Sequence, residues 1–376
     1  MNGSFRVGNL FGIPFFINVS WFLVLGLVTL DYGSYLAGNF PYLGAGLPWI
    51  LGLITALLLF ASVLAHELGH SFVALSQGIN VKSITLFLFG GLASLERESR
   101  TPAEAFWVAI AGPLVSIGLF ALLTAINLFT GITGPVAAIV GLLAYINLVL
   151  ALFNLIPGLP LDGGNILKSI VWKITDNPYK GIIFASRVGQ AFGWMAIASG
   201  FLPIFFSAPP NFWNIIIGWF LLQNAGRSAQ YGSIQEALAG LTAADAIIPD
   251  SPIVPATEEL SIREFVNQYV IGKNNDWSRF LVTDEEGQLL GAIAIADVNA
   301  IATSQWPQVT IRELVKPVES LTTVRDKTPL LEVAMLLEQK QVGELTVVSE
   351  SGALVGLIER DSIRRVLEEK TQAKPA

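Results

Sequence analysis

Residues 47 to 75 read LPWILGLITALLLFASVLAHELGHSFVAL, an apolar run long enough to cross a bilayer that carries metal-ligating and acidic side chains near its end. Such a run has few destinations. In hydrocarbon every backbone polar group must be satisfied within the segment itself, so the run is expected to be a helix. Positions i and i+4 of a helix share a face, which points His66 and His70, the only two histidines of 376 residues, at one place. Glu67 lies beside the first. HExxH is the spacing at which two imidazoles hold zinc while the glutamate acts as general base toward a water, the signature of a metalloprotease. A pair of core or interface histidines is the alternative, but ionisable groups in so apolar a setting are functional by default.

Five further runs of similar character occur at about 14 to 30, 105 to 127, 136 to 156, 182 to 206 and 211 to 226. With 53% hydrophobic and 14% charged residues the composition is outside the range of soluble proteins. Six membrane spans are therefore expected. The nine lysines and arginines before residue 228 (Arg6, Lys82, Arg97, Arg100, Lys168, Lys173, Lys180, Arg187 and Arg227) group at the N-terminus, in the second-to-third and fourth-to-fifth connections, and after the last run. The alternate connections hold none. By the positive-inside rule both termini are expected in the cytoplasm. No charged-then-apolar leader with a small-residue cleavage site precedes the first run, so the N-terminal residues are expected to be retained.

Catalytic zinc usually takes three protein ligands and leaves a fourth position for water. The chain has no cysteine and no third histidine, so the missing ligand should be a carboxylate. Before residue 228 the acidic residues are Asp31, Glu67, Glu96, Glu98, Glu104, Asp162 and Asp176. Glu67 is set aside as the base, and Asp31 falls on the opposite membrane face. Glu96, Glu98 and Glu104 share a charged connection with Arg97 and Arg100, where solvated loop charges are the usual reading. Asp162 follows an apolar run and a stretch broken by Pro157, Gly158 and Pro160, and unwound backbone at membrane depth is tolerated only where it lines a wet or protein-buried site. Its run and the HExxH run enter from the same side, which brings both to one depth.

HELGH followed by FNLIPGLPLDGG (residues 153 to 164) resembles the site-2 protease family of intramembrane zinc metalloproteases. The likeness covers most of residues 1 to 227, including Ile13-Pro14, Gly90-Gly91 in VKSITLFLFGGLASLE, and Ala111-Gly112-Pro113. The resemblance implies one zinc per chain on His66, His70 and Asp162, with Glu67 activating the water and Asn154 steadying the substrate carbonyl or its oxyanion. It implies that the Gly90-Gly91 segment is a short membrane-embedded β segment that pairs with an unwound substrate by strand addition. The implied partners are the lipid bilayer and single-span membrane proteins of the anti-sigma-factor or signal-peptide-remnant type, cut in regulated intramembrane proteolysis. No nucleic-acid partner is expected. Asn147, two turns before Asn154, reads as an ordinary interhelical hydrogen bond.

Past about residue 228 the composition changes: 22 acidic and 13 basic residues leave a net charge of −9, where seven acidic and nine basic residues leave +2 before it. The tail is expected to be a cytoplasmic α/β region, and the absence of cysteine fits a reducing compartment. It holds an internal repeat offset by 65, FLVTDEEGQLLGAIAIADV (280 to 298) against LTVVSESGALVGLIERDSI (345 to 363), each copy a strand, a tight turn at Gly287 or Gly352, a second strand and a helix. Two such units resemble a pair of cystathionine-β-synthase (CBS) domains. That resemblance implies an adenine nucleotide in the cleft between the copies, held through Gly291 and Asp297 in the first and Gly356 and Asp361 in the second. Ala294 and Glu359 stand at the hydroxyl positions and Ser362 where the second aspartate should fall. These departures and the acidic charge count against a phosphate ligand and leave homodimerisation, or a lid over the cytoplasmic mouth, as the other role.

The expected fold class is thus a multi-span α-helical membrane protein of about six transmembrane helices plus a C-terminal α/β CBS-pair domain. Its expected parts are a membrane metalloprotease domain at 1–227, a linker at 228–241, CBS domains at 242–304 and 305–370, and a disordered tail at 371–376. The rival reading is a CBS-regulated transporter or channel, which polar residues spread along several spans or inverted repeats would favour. Here the ionisable residues collect instead at HExxH and Asp162.

Overall fold

Asn18 decides where the first membrane helix begins. Its side chain accepts the backbone N–H of Ser20 at 3.0 Å, satisfying one of the orphan donors at the start of helix α1 (Val19–Asn39). The residues before it form strand β2 (Ile13–Asn18), which pairs antiparallel with β1 (Ser4–Leu10). The span expected at 14 to 30 is corrected accordingly: its first part is a strand and the helix starts at Val19. Summed hydropathy is alike for an apolar strand and a helix, and Pro14 is no obstacle to an extended segment. The computed structural model describes residues 3–88, 90–255, 260–271 and 277–372, and the chain divides into two units, Met1–Ser233 and Ile234–Ala376.

In the first unit α2 (Leu47–Ser76) carries HELGH in its last third and leads into strands β3 (Val81–Phe87) and β4 (Gly90–Leu95). The sheet order is β1-β2-β3-β4, with β2 and β3 parallel and the other pairs antiparallel, so the Gly90-Gly91 strand is an edge. Ile13, Val81 and Ile84 pack the sheet on Ala74 and Ile79, and Leu86 meets Trp21, Phe60 and Val63. The sheet is thereby fixed to the HExxH helix. The remaining helices are α3 (Pro102–Phe129), α4 (Gly134–Asn154), α5 (Asp162–Thr175), α6 (Pro178–Phe201) and α7 (Phe212–Leu238).

Among the described residues five helical stretches are long and apolar enough to cross a membrane: α1, α2, α3, α4 and Pro178–Phe206. The sixth expected run, 211 to 226, is helical as the first half of α7, but Asn214, Gln223, Asn224 and Arg227 dilute its apolar character. The helix continues to Leu238, so most of the stretch expected as a linker at 228–241 is helical. The break before α5 is anchored rather than loose. The Leu159 N–H donates to the Ala185 carbonyl at 3.1 Å, and the Leu159 side chain packs on Ile182 and Ala185. Inside the bundle, fully buried Asn147 of α4 donates to the Ser62 hydroxyl of α2 at 3.0 Å and to its own helix at the Leu143 carbonyl. This is the interhelical bond that the sequence led us to expect.

The second unit holds the repeat, and its two halves are interleaved. Strands β5 (Ile253–Pro255), β6 (Arg279–Thr283), β7 (Leu289–Ala294) and β8 (Lys316–Pro317) form one sheet, with short helices α8 (Ile262–Phe265) and α9 (Ile295–Asn299) belonging to the same copy. Strands β9 (Thr323–Arg325), β10 (Glu344–Val348) and β11 (Leu354–Glu359), with helices α10 (Leu330–Gln339) and α11 (Arg360–Gln372), form the other. Residues 238 to 246, which precede the first copy in sequence, pack into the core of the second through Leu238, Ala243 and Ala246. Ile311, beyond the border expected at 304, packs into the core of the first. The turns at Gly287 and Gly352 have φ of +80° and +87°, the left-handed conformation that glycine adopts without strain. Of the expected tail, 371–372 end α11, and 373–376 lie outside the described residues.

The Asn147–Ser62 bond gives a direct check on the α2–α4 packing. A double-mutant cycle of Asn147→Ala and Ser62→Ala, read by reversible unfolding in detergent, should give a coupling of about 0.6 kcal/mol and no more than about 1.7. A coupling indistinguishable from zero would mean the two side chains do not meet.

Candidate metal centre

Three elements deliver the site. His66 and His70 project from one face of α2, and Asp162 opens α5, where the helix N-terminus favours a carboxylate. Asp162 Oδ2 lies 3.0 Å from His66 Nε2 and 3.3 Å from His70 Nε2, and the two Nε2 atoms are 3.3 Å apart. The imidazoles are buried and the carboxylate partly so. The other nitrogens have partners on α3: His66 Nδ1 is 2.9 Å from Ser116 Oγ, and His70 Nδ1 is 2.6 Å from the Val108 carbonyl oxygen.

This donor set fits a zinc ion. Ligand atoms at about 2.0–2.1 Å from a tetrahedral ion stand about 3.3–3.4 Å from one another; two of these three separations are 3.3 Å and the third, His66 to Asp162, is 3.0 Å. Space for an ion exists because residue 112 has no side chain. A Cβ there would overlap His70 Nε2 and stand 2.7 Å from His66 Nε2. Gly112 is a residue that the sequence reading quoted only as part of a motif; a glycine in a membrane helix is too common for its role to be seen before α3 is placed against α2. The carboxylates set aside at the sequence level are engaged elsewhere. Glu98 pairs with Lys168 at 3.2 Å, Glu96 accepts from Asn80 at 2.7 Å, and Glu104 accepts the Arg100 N–H at 2.8 Å at the start of α3.

Glu67 faces β4. Its carboxylate lies near the Ala93 backbone, and a Cβ on Gly91 would stand 2.8 Å from Glu67 Cδ and 2.9 Å from Oε1. The glycine pair expected at a substrate strand thus also leaves room for the expected base, with Gly90 at a φ of +134° that side-chain-bearing residues rarely adopt. Asn154, the last residue of α4, holds its Nδ2 3.4 Å from His66 Nε2. The structure therefore gathers His66, Glu67, His70, Gly91, Asn154 and Asp162 at one place.

The four residues expected to hold a nucleotide differ in their surroundings. Gly291 faces β8, where a Cβ would overlap the Lys316 carbonyl oxygen, and the Asp297 carboxylate pairs with Lys316 at 2.8 Å. Gly356 lies under Ile247 and Ser251. Asp361 alone of the four lines a cleft of about 580 Å³, together with Ser278, Arg279, Thr322, Glu344 and Glu359. Across it Arg279 of the first copy pairs with Glu344 of the second at 3.0 Å. Partial burial first, then the nearby carboxylates of Glu344 and Asp361, push the Glu359 carboxyl above the usual glutamate range.

A family model described as Peptidase family M50 matches residues 54–133 and 131–196, and one described as CBS domain matches 243–301 and 311–369. The chain is 61% identical over 369 residues to a Synechocystis sp. protein named as a zinc metalloprotease, covering 98% of this chain and 96% of that one. It is 32% identical over 383 residues to the zinc metalloprotease Rip3 of Mycobacterium tuberculosis, covering 100% and 95%. Among solved structures it is similar to the site-2 protease from Methanocaldococcus jannaschii, at 27% identity, over 60% of this chain and 95% of that one, with a TM-score of 0.44.

Two outcomes follow from this geometry. Gly112→Ala should lower zinc bound per chain at least about tenfold by metal analysis, because the new methyl fills the space in front of both imidazoles. Gly118→Ala, on the same helix with nothing within 4 Å of the added atom, should leave it unchanged. In the second unit the folded state holds the Glu359 proton more tightly than the unfolded chain does, so the stability carried by the neutral carboxyl is lost as pH rises through the raised folded value. Glu359→Gln should therefore raise the unfolding temperature of that unit at pH 7 and have no such effect at pH 4, by calorimetry of the full chain.

Proposed function

The chain belongs to peptidase family M50, the site-2 proteases, and on that premise, a zinc metalloprotease joined to a CBS pair, we propose that it cuts the membrane-spanning segments of single-span proteins. The observation that carries this reading is the triangle of His66 Nε2, His70 Nε2 and Asp162 Oδ2, with no edge longer than 3.3 Å, set among helices long and apolar enough to span a bilayer. These three residues would hold one zinc per chain. When bound, the ion supplies Lewis acidity toward a water and toward a peptide carbonyl.

The rest of the chemistry belongs to the chain. Glu67 takes the proton of the attacking water and returns it to the leaving amine, with Gly91 and Ala93 of β4 beside its carboxylate. The Asn154 amide donates to the substrate carbonyl oxygen as charge grows on it. A membrane helix hides its carbonyls in its own hydrogen bonds, so the substrate must unwind near the cut. The edge strand β4 offers it a replacement ladder, with Gly90 and Gly91 beside Glu67. Membrane-anchored regulators, such as anti-sigma factors, and signal-peptide remnants have the required single span.

The grouping of the basic residues supports an orientation with the site near the cytoplasmic face and with both termini and the CBS pair in the cytoplasm, α7 serving as the sixth crossing. The CBS pair would act as a regulatory or dimerisation module. With Asp297 held by Lys316 and acidic groups in the cleft, an adenine nucleotide forms no part of this proposal.

Glu67→Gln should lower cleavage of a single-span test substrate in detergent by about 10²–10⁴-fold with zinc still bound, and Asn154→Ala by about 10²–10³-fold. Equal cleavage by wild type and Glu67→Gln, or none by zinc-loaded wild type across several such substrates, would refute the proposal.

A further inference from the structure

A neutral imidazole has one lone pair, and the nitrogen that keeps the proton is chosen by what the proton is bonded to. For His70 that choice is made by α3, and for His66 α3 supplies the partner. His70 Nδ1 lies 2.6 Å from the Val108 carbonyl oxygen, an atom that only accepts, so Nδ1 carries the proton and Nε2 is left free. His66 Nδ1 lies 2.9 Å from the hydroxyl of Ser116, which has no exposed surface. Residues 108, 112 and 116 follow one another at intervals of four along the helix. One face of α3 therefore presents a carbonyl to His70, an empty position at Gly112 in front of both rings, and a hydroxyl to His66. Pro113, inside α3, lacks the N–H that would hold the Ala109 carbonyl and interrupts the backbone ladder beside Val108.

We propose that Ser116 is a positioning residue for the metal site. With Nε2 of His66 facing Asp162 and His70 as a ligand atom, Nδ1 keeps the proton, and the Ser116 hydroxyl oxygen accepts that Nδ1–H and fixes the rotation of the ring. The inference rests on the reading of His66, His70 and Asp162 as the metal ligands. Ser116 touches no substrate. A purely packing role, a small residue between α2 and α3, would be met as well by alanine, whereas holding the ring through Nδ1–H needs an oxygen at this position. Outer hydrogen bonds of this kind tune ligand orientation and basicity, and losing one typically weakens metal binding by about ten- to a hundredfold.

The test compares full-length wild type, Ser116→Ala, Ser116→Thr and His66→Ala in detergent. Zinc affinity is read by competition with a chromogenic chelator, and the visible absorption of the cobalt(II)-loaded proteins is recorded alongside. Ser116→Ala should bind zinc about ten- to a hundredfold more weakly, shift the cobalt bands, and lower kcat with little change in KM. Ser116→Thr, which keeps the hydroxyl, should restore affinity to within about threefold of wild type, a rescue that a packing defect would not show. If Ser116→Ala matches wild type in affinity and cobalt spectrum while His66→Ala loses the metal, the role given to Ser116 is wrong and the ligand assignment stands. If His66→Ala binds zinc as wild type does, the ligand assignment itself fails and this inference with it.

Discussion

A polar group at membrane depth must find its partner within the protein, because no water is there to supply one. The first unit is organised around that requirement. Two imidazoles and a carboxylate converge to separations of 3.0–3.3 Å, which places one face of each at the disposal of an ion. Their remaining polar atoms are then met by α3, through Ser116 and the Val108 carbonyl. That in turn dictates where glycine is needed, since a side chain at residue 112 would occupy the shared space. The anchored break from Leu155 to Leu161 serves the same end. It stops α4, turns the chain against α6, and starts α5 so that Asp162 arrives at the depth of the histidines.

The sheet is the second consequence of placing a hydrolytic site among apolar helices. Strand β4 lies along α2 with Gly91 and Ala93 beside Glu67, and as an edge it has one row of backbone groups without a ladder partner. Such an edge is normally a liability. On the proposed function it sits beside the groups that an unwound peptide would have to reach, so one element would both flank the base and offer the substrate a ladder. The interleaved second unit has a different character: its cleft is bridged by an ion pair between the two copies and is lined by carboxylates together with Arg279 and Arg360, while Lys316 lies against Gly291 and pairs with Asp297.

Much of this was legible in the sequence, for reasons that can be stated. HELGH stood out because the chain has no other histidine, and Asp162 because few carboxylates precede residue 228 and Glu96, Glu98 and Glu104 share a charged connection with Arg97 and Arg100. The repeat and its glycine turns were also legible, as each depends on local chemistry, and so was an interhelical bond from Asn147, a polar residue within an apolar span, though not its partner Ser62. What was not legible depends on which surfaces face each other. Residues 14 to 18 scored as membrane helix because apolar strands and helices have equal hydropathy, and Asn18 was silent as a cap. Ser116 and Gly112 look like ordinary small residues of a membrane helix until α3 is laid against α2. The exchange of leading segments between the CBS copies is invisible to a linear repeat. The transporter alternative is settled by family membership.

The central claim is that one zinc ion is held by two imidazoles from α2 and the carboxylate that begins α5. X-ray diffraction from crystals of the purified protein, recorded on both sides of the zinc absorption edge, tests it most directly. The account predicts one strong anomalous peak per chain, about 2.0–2.2 Å from His66 Nε2, His70 Nε2 and an Asp162 oxygen. A peak ligated by other residues, or none at this position from zinc-replete protein, would contradict it.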